Sequence, residues 1–557
     1  MMRRAYLLSL LLSAPSAYAL DLNDLTFEAG SDPSGYTIKG SPLTKTQVTD
    51  LPADTLQNVY AMLPEGVEVN PTFIDQIKAT SIGIDDDGIG PGDTVTATVT
   101  FLNEGAGYRN TLGYFIFDTE TPPQTKEDVA AHVVIFPNTS KAPDGDLAEG
   151  DTMDLNINLQ PGQSLGFFVI PNGWGWGNGS YNNITSFGSW NTPFYSLINL
   201  NPEDTSENRH HNVIFLDVEN EFLVVGFEDL YRPHGDNDFN DLLFTVKLNH
   251  FAAIDGVDEE GNVDAKYEIL TDENSTDVTI KSIYPSANSW ATLAFEDRWP
   301  SQGDYDFNDV VLQYRLTETM NGKREIKSIE GDFDVKAMGG SYNNGFAIRI
   351  PSVDPANVAS FTLSKNGEAI EASIDPAATE LIVELSGNIK DDLESIGAIN
   401  ESCVFFRTQS SCLASQTQKL NYSFTVELTD PVSKDDIGSA PYDPFIFAAP
   451  NTYHGDEFGT QPGKTWETHL KQFTGTSRMN LDFFNTYNDK STASNFFITA
   501  SNFPWALNLS YPWVHPLENV DISHAYPQFS TWVTSSGESN KQWYTTDNAD
   551  SSKTAQE

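Results

Sequence analysis

The residues of this chain best suited to chemistry are two sets of acids that repeat one spacing. The first runs Phe227-Glu228-Asp229, five residues, Gly235-Asp236, one residue, Asp238-Phe239-Asn240-Asp241. The second runs Phe295-Glu296-Asp297, five residues, Gly303-Asp304, one residue, Asp306-Phe307-Asn308-Asp309. Nine residues match at identical spacing, and each copy carries five carboxylates and one amide. Two carboxylates about 4 Å apart repel by roughly 4 kcal/mol at an effective dielectric near 20. Such acids either splay into water, as turn formers and edge charges, or surround a hard cation. The duplicated spacing favours the cation. Oxygen-only donors without Cys or patterned His point to calcium rather than zinc or copper. The reading is about two calcium sites. Glu228, Asp229, Asp236, Asp238, Asn240 and Asp241 are candidate ligands of one, and Glu296, Asp297, Asp304, Asp306, Asn308 and Asp309 of the other. This is not an EF-hand: Asp241 and Asp309 stand where that loop needs Gly, and Lys247 and Arg315 where it needs Glu.

The flanks say what must hold these acids. Residues 221–227 and 242–246 bracket the first set, and residues 290–295 and 310–314 the second; all four are β-rich runs. Each motif predicts a hairpin with its acids at the tip. Alternation in an extended loop puts Asp236, Asp238 and Asn240 on one face and Phe239 on the other, as a core anchor. Asp241 must then bend back, serve a second ion or cap a turn. Adjacent Glu228 and Asp229 diverge, so one of them is expected to bind directly.

Residues 1–19 read as a secretory leader: a basic start, a short apolar stretch, then Ala17-Tyr18-Ala19 for cleavage. No later run is long and apolar enough for a membrane helix. The expectation is a protein secreted or held at the cell surface, with a periplasmic location left open. The net charge of −48 and pI near 4.2 argue against nucleic acid as a partner. In an oxidising compartment Cys403 and Cys412 are expected to pair. The pattern predicts an all-β protein of two tandem β-sandwich, jelly-roll-like units, with a short helical or irregular N-terminal segment. Residues 20–75 are that extension, with a helix near 53–62. Residues 76–250 form the first unit and residues 255–545 the second, across a Gly/Asp/Glu-rich joint at 255–261. Residues 546–557 are expected to fray.

Residues 291–300 and 303–309, with Phe503-Pro504-Trp505-Ala506 and Tyr526-Pro527-x-Phe529, resemble the LruC-domain family of exported bacterial proteins. The upstream unit is similar to a domain of unknown function often found beside it. Asn110-Thr111-Leu112-Gly113-Tyr114 and the first acidic hairpin carry that likeness. The resemblance spans about residues 80–545. It implies a β fold and an exported or surface location, and it implies no reaction.

Other constellations are weaker. The Gly-rich aromatic loop offers Trp174, Trp176 and Tyr181 as faces for sugar rings, or as residues folded over the sandwich. Asp85-Asp86-Asp87-Gly88 reads as a surface turn. His210 and His211, adjacent before a strand, point to opposite faces and do not share a metal. No nucleophile elbow, zinc-protease helix, Walker loop or dinucleotide fingerprint occurs. The leading expectation is a non-enzymatic, calcium-stabilised protein of the cell surface or extracellular matrix, acting in adhesion. Polysaccharide or other surface proteins are its expected partners. The alternative is a carbohydrate-binding protein, or a glycoside hydrolase using an acid pair such as Glu467 and Asp482.

Overall fold

The structure, a computed structural model, describes residues 25–28, 35–90, 92–175, 192–232, 234–272, 279–371, 374, 378–537 and 539–555. The leader, Trp176 and Tyr181 lie outside the described residues.

The chain is all-β, as its alternating runs predict. A six-stranded and a seven-stranded sheet form the earlier half, and a nine-stranded and a four-stranded sheet the later half. Within each half, apolar positions on facing sheets meet. Phe167 and Phe244 lie edge to face with ring centroids 5.1 Å apart, and Phe333 meets Phe346 at 5.3 Å. Residues 93–101 alternate polar and apolar side chains, and the strand Ala97–Asn103 takes up their later part. The apolar stretch Val133-Val134-Ile135-Phe136 lies in the strand His132–Phe136.

Three features depart from the sequence reading. The N-terminal extension is not separate from the first unit. Leu25–Phe27 adds in parallel to His132–Phe136, and Thr46–Gln47 pairs with Asp151–Asp154. Its helix, Thr55–Met62, is where the pattern put it. Second, the joint is followed by a stitch. Val263–Asp264 pairs with Ile280–Tyr284 of the later half, while Glu268–Ile269 pairs with Asn212–Asp217 of the earlier half. Glu268, 3 % exposed, sits 2.6 Å from Lys78 and 2.7 Å from Arg324. Burial opposes its charge, yet these two cations hold its carboxyl down at about 2. One continuous apolar core joins both halves. Third, the last residues described do not fray: Leu517 N–H donates to Lys553 O at 2.9 Å and Ala555 N–H to His515 O at 3.0 Å. Cys403 and Cys412 are joined by a disulfide across a separation of nine residues.

Candidate metal centres

Both acidic sets sit on antiparallel hairpins. Phe222–Phe227 pairs with Leu242–Leu248, and Ala291–Phe295 with Val310–Met320. In each, the Phe before the acids faces the first apolar residue after them: Phe227 opposite Leu242, Phe295 opposite Val310. The ladder therefore fixes both ends of the loop, and the loop has to reverse in between.

It does so by turns, which corrects the expected alternation of faces. Asn237 and Phe239 have φ of 58° and 60°, and Tyr305 and Phe307 have 54° and 49°. These left-handed residues alternate with acids and fold the backbone inward. Asn240 N–H then donates to Asp238 Oδ1 at 3.0 Å, and Asn308 N–H to Asp306 Oδ1 at 3.2 Å. Nor are the acids at a solvated tip. Glu228, Asp229, Asp238 and Asn240 are 2 % exposed or less, as are Glu296, Asp297, Asp306 and Asn308. Of the candidate ligands, Asp236 and Asp304 are the exposed ones. Phe239 does point inward, but it joins a cluster with Val59 and Leu63 of the N-terminal segment rather than the sandwich core. Phe307 likewise packs on Phe529, centroids 5.9 Å apart.

Among the described residues, three groups of carboxylates converge. Glu228, Asp236 and Asp241 each bring one oxygen within 4.8 Å of the others. Glu65, Asp236 and Asp238 form a second group, and Glu296, Asp304 and Asp306 the third. Calcium holds oxygens at about 2.3–2.6 Å, so ligands across one ion stand about 5 Å apart. Asp229 and Asp297 fall outside these groups. Each instead accepts an amide, from Asn110 Nδ2 at 2.6 Å and from Asn344 Nδ2 at 2.9 Å. Asp241 and Asp309 do bend back: Asp229 N–H donates to Asp241 Oδ2, and Asp297 N–H to Asp309 Oδ2, both at 2.8 Å.

The electrostatics are those of a cluster short of positive charge. Burial, then the charges of Asp236, Asp229 and Asp238, pushes Glu228 up to about 8. Burial and the neighbouring Asp229 and Glu228 push Asp241 up to about 9. In the second centre burial and Asp304 push Asp306 up to about 8, and Glu296 and Asp309 are raised well above the carboxylate range. Both carboxylate oxygens of Glu228 are buried and have no hydrogen-bond partner among the described residues, and Asn308 Oδ1 is in the same position. Glu296 differs, accepting from Phe307 N–H at 2.7 Å. A buried polar group without a partner is unfavourable by several kcal/mol in order of magnitude. An oxygen-seeking cation placed among these groups removes that penalty and favours their ionised forms.

The sequence reading missed Glu65 and Glu518, both distant in the chain. Glu518, raised to about 7 by burial and by Asp304 and Asp297, stands over the second centre. The only local signal around the two glutamates is the short run Glu65-Gly66-Val67 and Glu518-Asn519-Val520, too brief and too far from either hairpin to assign them as partners from spacing alone. Other expected sites resolve differently. Trp174 is 6 % exposed and packs among Leu25, Phe115 and Tyr195, so it offers no open face to a sugar. His211 is a structural residue: its ring bridges Glu228 O and Glu203 Oε1 and stacks on Phe194. Glu467 is locked to His469 Nε2 at 2.9 Å and to Thr476 inside the core, while Asp482 lies exposed in a separate turn. Asp85 accepts from Asp87 N–H, the surface turn expected there.

Among the described residues, no helix is long and apolar enough to cross a membrane. Residues 159–249 match a family model described as a domain of unknown function (DUF4114), which takes in the first hairpin. Residues 324–544 match another, a domain of unknown function (DUF4842), which begins after the second hairpin and contains Glu518. No curated protein matches. A solved protein of Bacteroides ovatus, described as a "putative lipoprotein", is similar at 16 % identity and a TM-score of 0.40, over 62 % of this chain and 92 % of that one. The chain is thus similar to two domains of unknown function, and it is these descriptions, not an LruC domain, that the matches carry.

Proposed function

We propose that this is an exported, calcium-stabilised β protein that works by interaction at a cell surface or in an extracellular matrix, without turnover of its own. One observation carries the calcium reading above the rest. Glu228 is 0 % exposed, both its carboxylate oxygens lack a hydrogen-bond partner among the described residues, and Asp236 and Asp241 converge on it. Hard oxygen donors of this kind, with no nitrogen or sulfur among them, suit calcium. The non-catalytic reading draws support from the acids themselves, since cation-bound carboxylates are poor general acids. A cleft of about 820 Å³ beside Arg407 and Trp513 has Asp334 as its one carboxylate among the described lining residues, short of the pair a glycosidase uses. Burial of Trp174 takes one of the three aromatic faces from the carbohydrate reading; Trp176 and Tyr181 lie outside the described residues. The test is native mass spectrometry of the mature protein with calcium. About two ions retained per chain are expected, and a protein that stays metal-free in millimolar calcium would refute the proposal.

A further inference from the structure

The duplication extends well beyond the hairpins. Leu63-Pro64-Glu65-Gly66 and Pro516-Leu517-Glu518-Asn519 meet their loops in the same way. Asn240 Nδ2 donates to Leu63 O at 3.2 Å, and Asn308 Nδ2 donates to Pro516 O at 3.1 Å. Gly66 N–H donates to Asp238 Oδ2 at 2.7 Å, and Asn519 N–H donates to Asp306 Oδ2 at 2.8 Å. Gly66 and Asn519 both adopt a left-handed backbone, with φ of 66° and 60°. In both segments the following Val closes the same turn, Val67 N–H to Pro64 O and Val520 N–H to Leu517 O. Asn110 corresponds to Asn344. Gly105 corresponds to Gly339: a Cβ on Gly105 would lie 2.7 Å from Asn240 Oδ1 and 3.3 Å from Glu65 Oε2, and one on Gly339 would overlap Asn308 Oδ1 and lie 2.7 Å from Glu518 Oε2. The amide oxygen and the distant glutamate therefore face one small space in each centre.

Behind each contact lies an apolar seam. Val59, Leu63 and Phe73 cover Phe239 and Leu243 on the outer side of the first hairpin. Ile522, Phe529 and Trp543 cover Phe307 and Val311 on the second. We infer that Glu65 and Glu518 are equivalent ligands completing the two cation centres, and that each bound cation thereby clasps a chain-distant segment, around residues 55–74 and 516–533, onto its sheet. The inference rests on the calcium reading above and adds which glutamates complete each site and what the ion holds in place. The oxygens of Glu228 in the first centre and of Asn308 beside Glu518 in the second are buried without a hydrogen-bond partner among the described residues, and a cation would satisfy them.

The experiment is hydrogen–deuterium exchange of the full mature chain, with calcium and after its removal, on wild type, Glu65→Gln and Glu518→Gln, alongside calcium titration. Removal of calcium from wild type should raise exchange in both segments. Glu65→Gln should weaken one site by roughly tenfold or more and uncouple the N-terminal segment alone; Glu518→Gln should do the same for the C-terminal segment. Calcium binding without any change of exchange in either segment overturns the clasp while leaving the calcium reading intact. So does wild-type affinity at both sites in both variants. Absence of calcium binding in wild type overturns both.

Discussion

Glu228 is the residue on which the chemistry of the first centre turns. Its carboxyl, raised from about 4.5 to about 8, holds a proton in the metal-free fold that the unfolded chain releases. The same holds for Asp306, raised from 3.8 to about 8. The folded state therefore binds more protons than the unfolded state between these limits, and stability falls as pH rises through them. Thermal scans of calcium-stripped protein should give a higher Tm at pH 5 than at pH 8. Calcium competes with those protons, so its affinity should rise over the same interval, as calorimetric titration would measure. A Tm of stripped protein independent of pH would contradict the assignment. Gly340 offers a sharper test in the second centre. A Cβ there would overlap Asp297 Oδ2 and stand 3.0 Å from Asp309 Oδ1. Gly340→Ala should lower calcium affinity at that centre by about tenfold or more while the first centre is unchanged, measured by site-resolved titration.

At the scale of elements, the hairpins were legible and their interiors were not. Val and Leu runs on either side of a Gly-Asp loop announce an antiparallel pair, because alternation and turn residues are local signals. The path inside the loop is set by the left-handed residues Asn237, Phe239, Tyr305 and Phe307, and side-chain type does not announce such a conformation for Phe or Tyr. Burial of the acids was also hidden, because it comes from the segments at Glu65 and Glu518, whose hydrogen bonds span 172 and 213 residues. On the proposed reading, each hairpin with its partner segment is a separate unit of binding. Asp238→Ala and Asp306→Ala should each remove about one calcium and leave the other bound, with roughly additive losses of stability. Native mass spectrometry counts the ions. An unchanged count in both variants would show that the wrong ligands were chosen.

For the molecule as a whole, 79 acidic residues stand against 31 basic ones. Cations bound as proposed would neutralise the most crowded of this charge and relieve self-repulsion. A site occupied at a hundred times its Kd contributes about 2.7 kcal/mol, so two such sites should raise Tm by about 5 °C in a chain of this size. Chelation should reverse the gain, and magnesium should restore less of it, because it keeps its water and demands tighter octahedral geometry. Differential scanning calorimetry in chelator, calcium and magnesium tests the ranking; equal Tm in all three would exclude calcium stabilisation. The continuous core and the Lys78–Glu268–Arg324 cluster join the halves, which predicts one cooperative transition in those scans.

The two hairpins lie near each other in mid-chain, and what completes them lies outward in opposite directions. Glu65, Gly105, Asn110 and His211 all precede the first loop, whereas Gly339, Asn344, Trp505 and Glu518 all follow the second. A chain delivered N-terminus first therefore meets the two centres with different histories. When Asp241 is made, these partners of the first loop already exist and can close on it at once. When Asp309 emerges, its partners are still to come, and the acids of the second loop stand open until Glu518 arrives. The same local design is thus finished early in one half and last in the other, giving assembly of this molecule a direction that its finished symmetry conceals.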